Sequence, residues 1–149
     1  MISVTVATTE DAADWAAMRQ ALWPKSNPGQ HDADIARLLA VSGDTINFIA
    51  RADDHRPIGF AEAGLRHDYV NGTESSPVAF LEGIYVEPAF RRTGVARQLV
   101  EAVEDWARQQ GCSELASDTG ITNIASQTLH NALGFTETQR VVYFRKVLD

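Results

Sequence analysis

Apolar and polar residues alternate from Ile2 to Ala7 (Ile-Ser-Val-Thr-Val-Ala), the two-residue period of a half-buried strand. Thr8-Thr9-Glu10-Asp11 follows, with hydroxyls suited to a helix cap and acids suited to a first turn. Ala12 to Leu22 has helical composition, and Pro24 ends it because its ring and missing N–H stop propagation. "KSNPGQHD" reads as a loop, and a second short helix opens at His31 or Asp32 and runs through Val41 to a stop at Gly43. "TINFIAR" (Thr45 to Arg51) and "PIGFAEAGLR" read as the arms of a hairpin around "DDHR". A polar loop, "HDYVNGTESSP", has Asn71-Gly72 at its tip.

"VAFLEGIYV" (Val78 to Val86) is nearly all apolar, broken only by Glu82 and Gly83, and suits a central strand covered on both faces. From Val95 to Gln110 the apolar positions Ala96, Leu99, Val100, Val103, Trp106 and Ala107 form an i, i+3, i+4 stripe, and Gly111 is a suitable residue just past the helix end. "CSELAS" predicts a short strand, Asn123 to Leu133 a helix ending at Gly134, and "RVVYFRKVL" a closing strand. The order is strand, two helices, three strands, helix, strand, helix, strand. It predicts a mixed α/β (α+β) fold with a sheet as its spine.

At 149 residues with 44% apolar content, the chain fits one folded domain over residues 1–149 and not a disordered segment. No apolar run approaches the ~18 residues of a membrane span, and the first residues lack the basic and apolar regions of a signal peptide. The single cysteine, Cys112, forms no internal disulfide, and a cytoplasmic protein is expected. The net charge of −7 disfavours nucleic acid and attracts cations, although many cytoplasmic proteins are acidic for solubility alone.

The junction "VEPAFRRTGVARQLV" (Val86 to Val100) adds chemistry. A strand ends, Pro88 turns the chain and a helix begins near Gly94. A helix start exposes unpaired amides and the positive end of the dipole, and a glycine there lets a phosphate approach. Arg91 and Arg92 add cationic donors, so the spacing R-R-x-G-x-A fits a pyrophosphate cradle; a glycine turn with two solvated arginines is the plainer reading. Neither G-x-G-x-x-G nor G-K-[ST] is present.

The strand "GIYVEP", the turn "RRTGVA", a helix, a strand and then "NIASQTLHNALGF" (Asn123 to Phe135) resemble the GCN5-related N-acetyltransferase (GNAT) superfamily. "AFLEGIYVEPAFRRTGVARQLV" with "LHNALGF" and "RVVYFRK" is similar to its aminoglycoside 6′-N-acetyltransferases. The resemblance implies a GNAT-type fold and acetyl-CoA as co-substrate, with no metal. It implies that the backbone of Ile84 and Val86 pairs with the pantetheine arm. The amides of Arg91, Arg92, Thr93, Gly94, Val95 and Ala96 then hold the pyrophosphate, and Asn123 and Ser126 line the pantetheine or adenosine side. Asn123 is also an ordinary helix-cap residue, and Ser126 an ordinary surface residue. Where many members carry a tyrosine that protonates the departing thiolate, this chain has His130, whose ring can donate a proton near neutrality.

The resemblance also implies an amine attacking a thioester directly, with rate gained from placement and an oxyanion held by backbone N–H of Ile84 or Tyr85. Glu82 is the expected proton acceptor. It interrupts an apolar strand, where an unpaired carboxylate is costly, though a surface salt bridge also accounts for it. Asp118, after "SELAS", is expected near the same strand ends to bind the ammonium. Trp23, Asp32, Tyr69 and Glu137 are expected to border a polycationic acceptor, each with a plainer reading as packing, capping or loop residue. The family often dimerises, and the apolar closing strand offers a pairing edge, so a homodimer is expected. Acetylation of another amine, a polyamine or a protein N-terminus, or CoA binding without turnover, are the alternatives.

Overall fold

The computed structural model describes residues 1–41 and 43–149. Five strands form one sheet in the order β1 (Ser3–Val6), β2 (Thr45–Arg51), β3 (Pro57–Arg66), β4 (Val78–Val86) and β5 (Leu115–Ser117). Neighbours from β1 to β4 are antiparallel, and β4 and β5 are parallel. Helices α1 (Ala12–Leu22) and α2 (Pro28–Ala40) cover one face, and α3 (Val95–Gln109) covers the other. Helix α4 (Ile124–Ala132) follows β5.

The stripe on α3 buries Val95, Leu99, Val100, Val103, Trp106 and Ala107 against Ala61, Ala79 and Leu81 of the sheet. Gly59 lies under the start of α3, and a Cβ there would meet the Tyr85 carbonyl oxygen of β4 at 2.7 Å and the Leu99 and Val95 side chains at 3.4 Å. On the opposite face Trp15, Met18 and Ile35 pack on Ile49 and Phe60. Cys112 is buried, and loss of water around it pushes its thiol pKa up. Among the described residues no helix is long and apolar enough to cross a membrane.

Two expectations change. Helix α2 begins at Pro28, not at His31 or Asp32, and ends before Val41. The Asn27 side chain accepts the Gln30 amide at 2.8 Å, and proline at the first helical position needs no amide partner. A proline read as a loop residue is therefore the helix start. The closing strand is absent: residues 135–149 carry no regular structure, and most are exposed. No residue of this stretch pairs with a strand among the described residues, and Val142, Tyr143, Phe144, Val147 and Leu148 are exposed, so periodicity alone does not order them.

Candidate active site

Strand β4 changes partner halfway along. Its first part, Ala79–Leu81, pairs with β5 on one side and β3 on the other. Beyond Leu81 only β3 remains among the described residues, from Gly83↔Glu62 to Val86↔Gly59. The register shifts between Glu62 and Ala63, which leaves Glu82 as the extra residue of a bulge. Ile84 and Val86 thus lie on a strand whose other edge has no strand partner among the described residues, and the gap leads to the start of α3.

That start is open. Gly94 caps α3 in the left-handed region (φ +92), and a Cβ there would meet nothing within 4 Å. No side chain caps the helix among the described residues, so the amides of Val95 and Ala96 are free to meet an anion. Thr93 Oγ1 donates to the Phe90 carbonyl at 2.5 Å and fixes the turn. Arg92 is exposed and also left-handed (φ +63).

Arg91, expected to contribute its amide and charge to a pyrophosphate, makes contacts within the turn. Its amide donates to the Pro88 carbonyl, and its guanidinium turns back to the Val86 carbonyl at 2.8 Å and over the Tyr85 ring at 5.7 Å. It braces strand to turn, and Arg92 is the neighbouring guanidinium on the exposed side of the turn.

The bulge also corrects the argument for Glu82. The side chain is 41% exposed and pairs with Arg66 at 2.7 Å, and Arg66 lies over the Phe80 ring at 4.0 Å. No burial cost applies to it. An ion pair this exposed is worth about 1 kcal/mol or less, so an incoming ammonium can compete with Arg66 for the carboxylate.

The buried acid of these two strands is Glu62. It accepts from Trp15 Nε1 at 2.9 Å and from Arg19 Nη1 at 2.5 and 2.6 Å. Burial pushes the Glu62 carboxyl above its ordinary range, against the pull of the Arg19 charge. Arg19 also reaches Asp34 at 2.9 Å and His31 Nδ1 at 3.2 Å, and lies over the Trp23 ring at 4.8 Å. The Gln30 side chain and the two nearby arginines lower the pKa of Asp34. The network ends on Trp23, which sits on Gly83 beside Glu82. A Cβ on Gly83 would meet the Trp23 ring at 2.5 Å. Gly83→Val is expected to expel the indole and raise the acceptor KM about tenfold or more, the counterpart of ~1.4 kcal/mol, in steady-state kinetics.

The other candidates divide. Tyr69, Asp118, His130 and Glu137 line one groove of about 820 Å³ beside β5. Glu137 pairs with Arg140 at 2.7 Å, and Tyr69 is exposed. Ser117 Oγ donates to the Leu81 carbonyl at 3.2 Å, so Asp118 emerges next to the β4 residue that precedes Glu82. Asp32 does not join them: it is exposed on α2 and lines a shallow apolar groove with Thr9, Ala12 and Leu39. Its neighbour His31 turns inward instead, because successive helical residues point about 100° apart.

His130 is held at both nitrogens. Nδ1 donates to the Ser126 carbonyl at 2.7 Å, and Nε2 lies 2.8 Å from Ser117 Oγ. The Phe135 ring packs edge-on at 5.1 Å. Asn123 Oδ1 accepts the Ser126 amide at 3.1 Å, so Asn123 caps α4. Sequence reasoning missed Ser117, Glu62, Arg19 and His31. The signal for Glu62 was present in "IGFAEAGL", an acid inside an apolar strand.

The chain resembles known acetyltransferases over nearly its whole length. The sequence profile described as the acetyltransferase (GNAT) family matches residues 14–135. The aminoglycoside N(6′)-acetyltransferase type 1 of Serratia marcescens is 57% identical over 134 residues, covering 90% of this chain and 91% of that protein. The apo crystal structure of an aminoglycoside 6′-N-acetyltransferase, AAC(6′)-Ig from Acinetobacter haemolyticus, superposes with a TM-score of 0.94 at 44% identity, covering 99% of each chain. AAC(6′)-Iy in complex with the bisubstrate analog CoA-S-monomethyl-acetylneamine superposes with a TM-score of 0.93 at 46% identity, again covering 99% of each.

Proposed function

This chain belongs to the GNAT family of acetyltransferases, and from that premise we propose that it transfers acetyl from acetyl-CoA to the 6′-amine of aminoglycoside antibiotics. The likeness to a structure holding a CoA–acetylneamine analog carries this reading, because the fit covers both halves of the site. The gap beside β4 and the uncapped start of α3 have the form that a pantetheine arm and a diphosphate require.

Acetyl-CoA supplies an activated acyl carbonyl. The amides of Thr93, Gly94, Val95 and Ala96, with the charge of Arg92, hold its diphosphate, and the edge of Ile84 and Val86 aligns its arm. Asn123 and Ser126, at the head of α4, flank that arm. The backbone N–H of Ile84 or Tyr85 faces the oxygen that gains charge. Trp23, Tyr69, Asp118 and Glu137 orient the polycation, and Glu82 accepts the ammonium proton as Arg66 is displaced. His130 Nε2 faces Ser117 Oγ, which reaches the β4 edge at the Leu81 carbonyl, so the ring stands on a route for a proton to the departing thiolate. The protein acts as a homodimer in the cytoplasm, a reading supported by its lone buried cysteine and its exposed apolar tail.

Purified protein with acetyl-CoA should release thiol when given kanamycin or tobramycin, and not when given an aminoglycoside with a hydroxyl at the 6′ position. Release with a polyamine or peptide alone would reassign the acceptor. Glu82→Gln should lower kcat about 10²-fold or more, as expected for a lost proton acceptor, while CoA affinity stays near wild type. Unchanged turnover would remove Glu82 from the mechanism.

A further inference from the structure

No step of acetyl transfer uses His31, yet the residue is only 1% exposed and is bonded at both ring nitrogens. Arg19 Nε–H donates to Nδ1 at 3.2 Å. A guanidinium has donors and no acceptor, so Nδ1 offers its lone pair and the ring proton sits on Nε2. Nε2 lies 3.3 Å from the Trp23 carbonyl oxygen and donates to it. One tautomer thus satisfies both bonds. Packing alone would be met by an apolar side chain at this position. A buried imidazole with two directed bonds costs desolvation and specifies one arrangement of its partners.

Those partners converge on the Trp23 ring. Arg19 lies over the indole at 4.8 Å. His31 stacks beside it, with centroids 6.5 Å apart and planes at 19°, and Phe60 meets it edge-on at 6.1 Å. The Trp23 amide donates to the Arg19 carbonyl at 2.7 Å. Arg19 is fixed in turn, because Glu62 accepts from Nη1 and Asp34 from Nη2. The contacts make a closed circuit. From Glu62 they run through Arg19 and His31 to Trp23, and the indole returns to the sheet over Gly83, the register partner of Glu62. Trp23 stands just past the end of α1 and is half-buried, so the ring held in this way presents part of its surface beside Glu82.

We propose that His31 and Arg19 are positioning residues for the acceptor site, which clamp the Trp23 indole on Gly83 and so set its place beside Glu82. The inference rests on the reading of Trp23 as an acceptor-site residue and names what holds it there. Neither residue touches the acceptor. Both act through the indole and its backbone carbonyl, and neither reaches the α3 cradle.

Acceptor kinetics with tobramycin and calorimetric CoA titration test this on His31→Phe, His31→Gln, Trp23→Ala and the double variant H31F/W23A. His31→Phe keeps the ring and loses both hydrogen bonds. It should raise the acceptor KM about fivefold or more, the effect of one lost hydrogen bond, while CoA affinity holds. His31→Gln restores a donor toward the Trp23 carbonyl and should recover most of the loss. In the Trp23→Ala background, His31→Phe should add nothing, because the residue through which it acts is gone. The same KM change with and without Trp23, or no change in either, overturns the proposal and leaves acetyl transfer standing. The indole N–H signal of Trp23 in a nitrogen-15 correlation spectrum needs no turnover. It should move in His31→Phe and return in His31→Gln, and an unmoved signal overturns the clamp. A wild type inactive toward tobramycin overturns the acceptor reading, and the spectrum then decides the clamp by itself. If His31→Phe does not fold, judged by circular dichroism, Arg19→Lys takes its place with the same expectations, because it keeps a cation beside Glu62 and lacks the planar face and the Nε–H.

Discussion

Arg19→Met should cost about 3–5 kcal/mol of stability, the usual penalty for leaving a buried charge without its partner. Arg19 and Glu62 expose only 7% and 8% of their side chains, and removing the guanidinium leaves Glu62 with Trp15 Nε1–H alone. For a chain of 149 residues that corresponds to a melting point lower by roughly 10 °C. The double variant R19M/E62Q should recover most of the loss, because a neutral amide still accepts from Trp15 and needs no counter-charge. The pH dependence has a definite sign. The Glu62 carboxyl is raised in the folded state, so the fold binds that proton more tightly than the unfolded chain does. Stability from this group is present below the ordinary carboxylate pKa and lost as pH rises through the raised one. Without Arg19 the rise is larger, so the defect of the single variant should shrink as the medium is acidified. Thermal melts of both variants over a pH series check this. A single variant within ~1 kcal/mol of wild type would show that the pair does not hold α1 to the sheet.

Gly94→Val should weaken CoA binding about tenfold to a hundredfold with a smaller loss of stability. At φ +92 an L-residue carries strain of roughly 1–2 kcal/mol, and nothing within 4 Å of the new Cβ adds a packing clash. The fold can absorb that strain by relaxing the turn, but relaxing it moves the amides of Val95 and Ala96 and places a branched side chain where the diphosphate approaches. Calorimetric titration beside a thermal melt separates the two effects. Loss of affinity no greater than the loss of stability accounts for would argue against a cradle at Gly94. Arg91→Ala serves as contrast: its side chain braces Val86 and Tyr85, so its loss should act mainly through the turn.

What could be read from the sequence follows from which forces are local. The stripe of α3, the glycine at its start and the Asn123 cap of α4 are set by residues within one or two turns of each other, and all stand where the periodicity put them. The motifs around Glu82–Ala96 and Asn123–Phe135 carried the family in the same way. Helix α2 was misplaced because Pro28 breaks a helix only when it is not at the first position. Glu62 and Glu82 look alike in sequence, each an acid in an apolar strand, and only the β-bulge decides between them: it sends Glu82 to the surface beside Arg66, while Glu62 faces Trp15 and Arg19. Asp32 and His31 are adjacent, and the phase of α2 selects His31 for the interior. The tail from Val141 to Leu148 has the composition of a strand, but a strand exists only with a partner, and that information lies outside a single chain's periodicity.

Every step assigned to this site depends on a diphosphate held at the start of α3. Isothermal titration of the folded wild-type protein with coenzyme A, run in parallel with Gly94→Val, examines that directly. Saturable heat at one site per chain, with binding weakened at least about tenfold in the variant, is the expected result. No heat from a demonstrably folded wild type, or equal affinity in the two proteins, would contradict it.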